Sequence, residues 1–280
     1  MKGEARYASM FARLARRNEG AFVPFTVLGD PDPATSLELV RTLARSGADA
    51  LELGLAFSDP VADGPRIQAA DRRALAAGMR VENCWPIIAA AREEFPELPI
   101  GLLVYANLVL HAGAPSFYAR AARAGVDSVL VADVPLLEFA ELERAATEQH
   151  IAPVLIAAPN VPDDRLRAIA TRSRGYVYVT SRPGVTGAEQ PDLRDDAASV
   201  LRRLRHIGST TDVPPALLGF GIGNPEQVRF ALGLGAPGVI SGSAIAARIE
   251  RNADDTDALL AEIADFVRSM KQATVGQGGR

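Results

Sequence analysis

Glu52 stands in the run Leu51-Glu52-Leu53-Gly54-Leu55, one carboxylate between aliphatic residues. On a strand, alternation sends Leu51 and Leu53 to one face and Glu52 to the other. A carboxylate enclosed that way resists ionisation unless paired, so its pKa rises and it becomes an acid near neutral pH. A Glu bonded to interior polar groups, without chemistry, fits the same pattern. Asp63 follows in the loop Phe57-Ser58-Asp59-Pro60-Val61-Ala62-Asp63-Gly64-Pro65. Its prolines and glycine shape the loop, and Asp63 reads either as a second reacting carboxylate or as ordinary Asp-Gly turn chemistry. Asp59 fits an Asx turn or a cap. Three later segments are rich in glycine: Ser181 to Gly187, Gly219-Phe220-Gly221-Ile222-Gly223, and Ser241-Gly242-Ser243-Ala244. Glycines let backbone N–H groups close on an anion, and a helix N-terminus adds its positive dipole end. Each glycine alone reads as a tight turn; together they suggest a phosphate site. Gly219, Gly221 and Gly223 lack G-x-G-x-x-G spacing and lie far from the first βα unit, which argues against a dinucleotide fingerprint.

These residues need a scaffold. Nearly continuous aliphatic runs at 21–28, 49–54, 100–105, 127–131, 152–157, 175–179, 216–220 and 237–240 read as buried parallel strands. Segments with helical apolar spacing separate them, such as 35–46 and 135–149. Asp32-Pro33 and Asn224-Pro225 place a capping side chain before a proline at the first helical position. Gly47 and Gly125 end helices, each leading through Ala48-Asp49 or Val126-Asp127 into a strand, a weak internal repeat. Eight βα units without a composition shift predict an α/β fold, a single-domain (β/α)8 TIM barrel over residues 1–280. An extra N-terminal helix at 5–17 should cover the barrel bottom and a helix near 256–270 should close the chain. The core is expected at about 18–272, with 273–280 a flexible tail. In such a barrel the strand C-termini carry the active groups, and the loops after the last strands commonly hold phosphate.

A formal charge of -4 argues against nucleic-acid binding, which needs clustered cations. The single cysteine, Cys84, excludes an intrachain disulfide and fits a cytoplasmic setting. Beside Trp85 it reads as packing. No secretory signal is visible, and no apolar run is long enough to span a membrane. His111, His150 and His206 are too scattered for a zinc site, so no metal is expected. The lysines, Lys2 and Lys271, sit at the chain ends, which counts against a Schiff-base aldolase.

Several segments, in order over residues 5–272, together resemble the tryptophan synthase alpha-subunit family. They are Phe22-Val-Pro-Phe25, Leu28-Gly-Asp-Pro31, Ala48 to Gly54, Phe57-Ser-Asp-Pro60, Ala62-Asp-Gly-Pro65, Tyr105-Ala-Asn-Leu108, Gly125 to Pro135, Ser181 to Glu189, Gly219 to Ile222 and Ile240 to Ala244. The resemblance implies a lyase that cleaves indole-3-glycerol phosphate to indole and glyceraldehyde 3-phosphate by a retro-aldol reaction. It implies Glu52 as the acid/base and Asp63 as the carboxylate that stabilises positive charge on the indole N–H. It places Tyr178 and Tyr105 at the substrate, Gly187, Gly221, Gly242 and Ser243 at the phosphate, and Thr186 on a loop that closes onto the catalytic aspartate. Phe25, Leu103, Leu130, Ile156 and Phe220 fall where the family holds the indole ring, although plain core packing reads equally well for them. No cofactor is expected in this chain. Pyridoxal phosphate belongs to a beta subunit that takes the indole, in an alpha2-beta2 tetramer.

Three positions depart from the family pattern. Ala56 replaces the usual proline before the loop that faces the beta subunit, which bears on coupling between subunits. Arg66 is a charge three residues past Asp63, placed either to pair with it or to face solvent. Thr26-Val27 inverts the usual order in the first strand, exchanging an inward hydroxyl for an apolar group. The alternatives are a free-standing indole-releasing lyase, a weakly catalytic regulator of the beta subunit, and another phosphate-binding barrel such as a sugar-phosphate isomerase.

Overall fold

The structure is a computed structural model that describes residues 3–180, 194–219 and 221–276. Among these residues nine strands form one all-parallel sheet: β1 (Ala21–Leu28), β2 (Leu51–Leu55), β3 (Ile100–Val104), β4 (Ser128–Val131), β5 (Ala152–Val154), β6 (Ile156–Ala157), β7 (Val177–Thr180), β8 (Ala216–Gly219) and β9 (Gly238–Ser241). Their order is β5-β4-β3-β2-β1-β9-β8-β7-β6. Because β5 and β6 are separated in the chain by Leu155 alone, the two ends of this order are one interrupted stave. The sheet closes there, with the Leu155 carbonyl accepting the Tyr178 N–H at 3.0 Å. The barrel therefore has the eight staves expected from the sequence.

The interruption has a local cause. The Pro153 carbonyl accepts the Arg174 N–H at 2.7 Å, on the β7 side of the stave. In a strand a residue's N–H points the same way as its carbonyl, so the missing proline N–H falls on that side too. β5 consequently pairs with β4, and regular pairing to β7 begins at β6.

The apolar runs become strands because they are enclosed on both faces; every residue of β1 is buried. The caps form as the sequence suggests. Asp32 Oδ1 accepts the N–H groups of Ala34 and Thr35 at 2.8 and 3.0 Å, opening the helix Pro33–Arg45. Asn224 Oδ1 accepts the Gln227 N–H at 2.9 Å at the start of the helix Pro225–Gly233.

The repeated Gly-x-Asp joint seals the barrel bottom. Asp49 Oδ2 accepts the Phe22 N–H at 3.0 Å and Lys271 Nζ at 2.9 Å. Asp127 Oδ2 accepts the Ile100 N–H at 2.9 Å and Arg92 Nη2 at 2.5 Å, while Oδ1 accepts Arg6 at 2.6 Å. Each Asp thus satisfies a backbone donor on a neighbouring stave and neutralises its own charge. The helix Gly3–Arg17 lies across this end, burying Tyr7, Met10 and Leu14, as expected for the extra N-terminal helix. Tyr7 shares a 2.8 Å hydrogen bond with Ser128. The closing helix runs Thr256–Gln272.

The tail differs from expectation. Ala273 and Thr274 are buried, the Gly20 N–H binds the Thr274 carbonyl at 3.1 Å, and Val275 bridges Glu19. The Gly276 N–H donates to Asn18 at 3.0 Å. The tail is anchored through Gly276 because it supplies partners to the chain entering β1; residues 277–280 lie outside the described residues.

Asp127→Ala strips the charge partner from Arg6 and Arg92 and the acceptor from the Ile100 N–H. It should lower unfolding free energy by about 3 kcal/mol. Urea denaturation checks this; a loss under about 1 kcal/mol would mean the joint is peripheral.

Candidate active site

Glu52 is the second residue of β2 and points into the barrel, in register with Phe25 on β1 and Gly101 on β3. It is 1% exposed. The Tyr176 hydroxyl donates to Oε1 at 2.7 Å, and Oε2 is buried with no hydrogen-bond partner among the described residues. One neutral hydrogen bond is too little to offset the lost hydration of a carboxylate. Burial accordingly pushes the Glu52 carboxyl up to about 7; the Tyr176 bond works against this, and the charge of Asp63 adds to it. Tyr176 in turn rests on Tyr7, ring centroids 5.3 Å apart, so the helix that closes the barrel bottom also supports the acid's hydrogen-bond partner.

Asp63 lies in the loop between β2 and the helix Pro65–Ala76. It is 9% exposed, and Tyr105 donates to its Oδ2 at 2.6 Å. Burial raises its carboxyl to about 6 while the Tyr105 bond pulls it down. Near neutral pH Asp63 is therefore the readier of the two to ionise, and Glu52 the readier to hold a proton. The Tyr105 hydroxyl also accepts the Ala62 N–H at 3.1 Å, and its ring stacks on Phe57 at 5.2 Å. Arg66 is exposed and is not among the groups that shift Asp63, so the solvent-facing alternative is the one realised.

The other expected residues that the structure describes lie on the neighbouring staves and the loops after them. Tyr178 is buried on β7, and after burial the charges of Glu52 and Asp63 hold its phenol well above the usual range. Leu103 and Leu130 face each other in the β3–β4 register, at the level of Gly54 and Val27. Leu103 and Ile156 are only partly buried, whereas Leu130 and Phe25 are enclosed. Val27 packs on Gly54 inside the barrel, as the inverted Thr26-Val27 order predicts. Thr26 faces outward, its buried hydroxyl without a partner among the described residues.

Past the end of β9, next to β1, the helix Ser243–Arg251 begins at Gly242, with no side chain capping its first N–H groups. A Cβ at Gly242 would lie 2.9 Å from the Phe25 ring, so the close approach of Phe25 requires glycine. Gly221 turns the neighbouring loop at φ +73°, and the Ser241 hydroxyl holds that loop by donating to the Ile222 carbonyl at 2.6 Å. A Cβ on Gly223 would sit 3.5 Å from that of Ala244, so this loop and the helix start are in contact. Backbone N–H groups left uncapped at a helix start are the kind of donor an anion can take. Thr186, Gly187 and Phe220 lie outside the described residues.

A cavity of about 220 Å³ opens beside Val131, Leu136, Leu155, Ile156 and Ile169. It shares Ile156 with the mouth but holds neither carboxylate, so the chemistry follows the carboxylates. Lys271 pairs with Glu19 and Asp49 at the barrel bottom, away from the reacting end. Among the described residues no group of three or more His, Cys, Asp or Glu is arranged to hold a metal ion, and no helix is long and apolar enough to cross a membrane.

Two residues of the site escaped the sequence reading. Tyr176 holds Glu52, and its signal was available in the Tyr176-Val177-Tyr178 alternation, which sends both phenols to one face. Asp71, on the helix Pro65–Ala76, is 4% exposed and accepts the Phe57 N–H at 3.1 Å. Nothing in its helical context sets it apart from a solvated face.

The family described as "Tryptophan synthase alpha chain" matches residues 11–275. The tryptophan synthase alpha chain of Cronobacter sakazakii is 52% identical over 270 residues, covering 96% of this chain and 98% of the relative. That of Klebsiella pneumoniae is 52% identical over 269 residues with the same coverage. Among solved structures, tryptophan synthase subunit alpha from Legionella pneumophila superposes with a TM-score of 0.84 at 27% identity, covering 98% of each chain. A chain of the tryptophan synthase complex from Pyrococcus furiosus does so with a TM-score of 0.80 at 33% identity, covering 90% of this chain and 98% of that one.

A carboxyl whose folded pKa lies above its unfolded value weakens the fold as pH rises. For Glu52 the penalty is absent below about 4.5 and complete above about 7. Glu52→Gln should therefore gain stability relative to the parent between pH 4 and pH 8, by about 3 kcal/mol across that range. Urea midpoints across that range check it; an offset independent of pH would contradict a proton held by Glu52.

Proposed function

The chain belongs to the tryptophan synthase alpha chain family, and on that premise we propose that it cleaves indole-3-glycerol phosphate to indole and glyceraldehyde 3-phosphate. The observation that carries the assignment of roles is the buried Glu52 carboxyl, pushed up to about 7 and hydrogen-bonded among the described residues by Tyr176, facing a mouth that contains a second, more acidic carboxylate. Protonated Glu52 gives its proton to C3 of the indole ring, which leaves positive charge on the ring nitrogen. Asp63, the readier of the two to ionise, accepts the indole N–H and stabilises that charge. The Glu52 carboxylate then takes the proton of the glycerol hydroxyl next to the ring. The carbon–carbon bond breaks, its electrons return to the ring, and an aldehyde forms on the departing glyceraldehyde 3-phosphate. One carboxyl thus serves as acid and then base, which requires a pKa near the working pH.

Phe25, Leu103, Leu130, Ile156 and Phe220 form the indole pocket, Tyr178 and Tyr105 stand at the substrate, and Gly187, Gly221, Gly242 and Ser243 bind the phosphate. Thr186 is assigned the contact to Asp63 that keeps water from the charged intermediate. The chain works as one domain, in the cytoplasm, without a cofactor of its own. Indole passes to a pyridoxal-phosphate-dependent beta subunit in an alpha2-beta2 assembly; the Pyrococcus furiosus relative, described as part of an a2b2 complex, supports this. Glu52 and Asp63 being poised at different pKa values argues against a purely regulatory subunit.

Indole release from indole-3-glycerol phosphate by the purified chain tests the reading. Slow release that rises at least tenfold with a tryptophan synthase beta subunit is expected. Release that ignores the beta subunit would instead support a free-standing lyase, the reading Ala56 keeps open. Glu52→Gln should lower release by at least about 10³-fold while glycerol phosphate still binds, because a missing proton donor and acceptor removes the chemistry and leaves the phosphate site. Turnover close to wild type in that variant would remove Glu52 from its role.

A further inference from the structure

We infer that Asp71 is a positioning residue for Asp63, acting through the peptide of Phe57 and the ring of Tyr105. The inference rests on the proposed cleavage and adds to it a residue that touches neither substrate nor the reacting atoms. Asp71 lies on the inward side of the helix Pro65–Ala76, among the buried residues Ile67, Ala70 and Ala74. Packing alone would favour an apolar side chain there. The carboxylate makes a single hydrogen bond among the described residues, in which Oδ1 accepts the Phe57 N–H at 3.1 Å, while Oδ2 is buried with no partner there.

That bond falls at a structurally exposed point of the chain. β2 ends at Leu55, so the Phe57 peptide is in the first irregular stretch of the loop that carries Asp63, beyond the reach of the sheet's hydrogen bonds. The Phe57 ring stacks on Tyr105 with centroids 5.2 Å apart and planes 25° from parallel. Tyr105 then holds the other end of the same loop, donating to Asp63 Oδ2 at 2.6 Å and accepting the Ala62 N–H at 3.1 Å. A continuous path therefore runs from Asp71 through Phe57 and Tyr105 to the Asp63 carboxylate, and it fixes both ends of the loop.

The helix that supplies Asp71 is itself fastened. Two residues on, Arg73 grips the fully buried Asp30 through Nε at 2.7 Å and Nη2 at 3.0 Å. The loop is thus referred to a rigid element tied to the end of β1. Burial pushes the Asp71 carboxyl up to about 7, and Oδ1 accepts the Phe57 N–H in either protonation state, so an amide can replace the carboxyl in this role.

Displacement of a reacting group by about 1 Å can slow a reaction by about 10²-fold, and loss of one hydrogen bond in a shaped loop gives part of that. Asp71→Ala should reduce kcat for indole release about tenfold while KM changes less than about threefold. Asp71→Asn, whose amide oxygen still accepts the Phe57 N–H, should restore kcat to within about threefold of the parent. Phe57→Leu, which keeps the peptide and removes the stack, should slow turnover like Asp71→Ala. The double variant should then be no slower than the slower single, because both changes break one path. An Asp71→Ala enzyme with parental kcat, an Asp71→Asn enzyme as slow as Asp71→Ala, or multiplying losses in the double variant would each overturn the inference. If Asp71→Ala does not fold, Asp71→Asn and Phe57→Leu decide alone: a slowed Phe57→Leu beside a near-parental Asp71→Asn supports the path, and a parental Phe57→Leu refutes it. A parent chain that releases no indole would refute the proposed reaction itself, which separates the two failures.

Discussion

Keeping one carboxyl dry is the constraint on which the rest of this structure depends. Among the described residues no cation shifts Glu52, and a single phenol supplies its hydrogen bond. An ionised carboxylate so placed loses far more hydration than about 1 kcal/mol of neutral hydrogen bonding returns. The proton therefore stays on into the neutral range. Only a closed sheet with a sealed bottom provides such a place. The stave broken at Leu155 still completes the ring, and the N-terminal helix brings Tyr7 beneath Tyr176. The salt-bridged Asp49 and Asp127 satisfy the strand N–H groups at that end, so charge is handled at the bottom and kept away from Glu52.

The mouth applies the opposite treatment to the second carboxylate. Asp63 is on a loop, less deeply enclosed, and receives its hydrogen bond from a tyrosine that also holds the loop's backbone. The two groups share the same direction of shift but differ in degree, about 7 against about 6. Since each carboxylate's charge disfavours ionisation of its neighbour, the better-hydrated one ionises first and the enclosed one keeps its proton. The intrinsic difference between the two carboxyls, 4.5 against 3.8, and the deeper burial of Glu52 together divide the labour between an acid and an anion.

Much of this was readable in the sequence, and the reasons are local. The eight staves announce themselves as aliphatic runs, since a strand buried on both faces leaves no other composition open. Glu52 is conspicuous because Leu51 and Leu53 fix which way it points. What escaped depends on contacts between residues distant in sequence. The choice of Tyr176 to hold Glu52 spans 124 positions, and Asp71 looks like any helix-surface acid until Phe57 is folded over it. The anchored tail is similar: Thr274 is buried by meeting the turn before β1, which no property of the Gly-rich C-terminus reveals. The break in the fifth stave had a visible cause in Pro153, yet its effect depends on which neighbour the missing N–H would have faced.

The most direct test of a proton-holding Glu52 is a ¹³C-NMR titration of its side-chain carboxyl in the free, full-length chain, with the resonance assigned from Glu52→Gln. A midpoint near 7 is predicted. A midpoint between 4 and 5, the ordinary range for an exposed glutamate, would show that the barrel interior does not withhold water from this group, and the acid/base role would lose its physical basis.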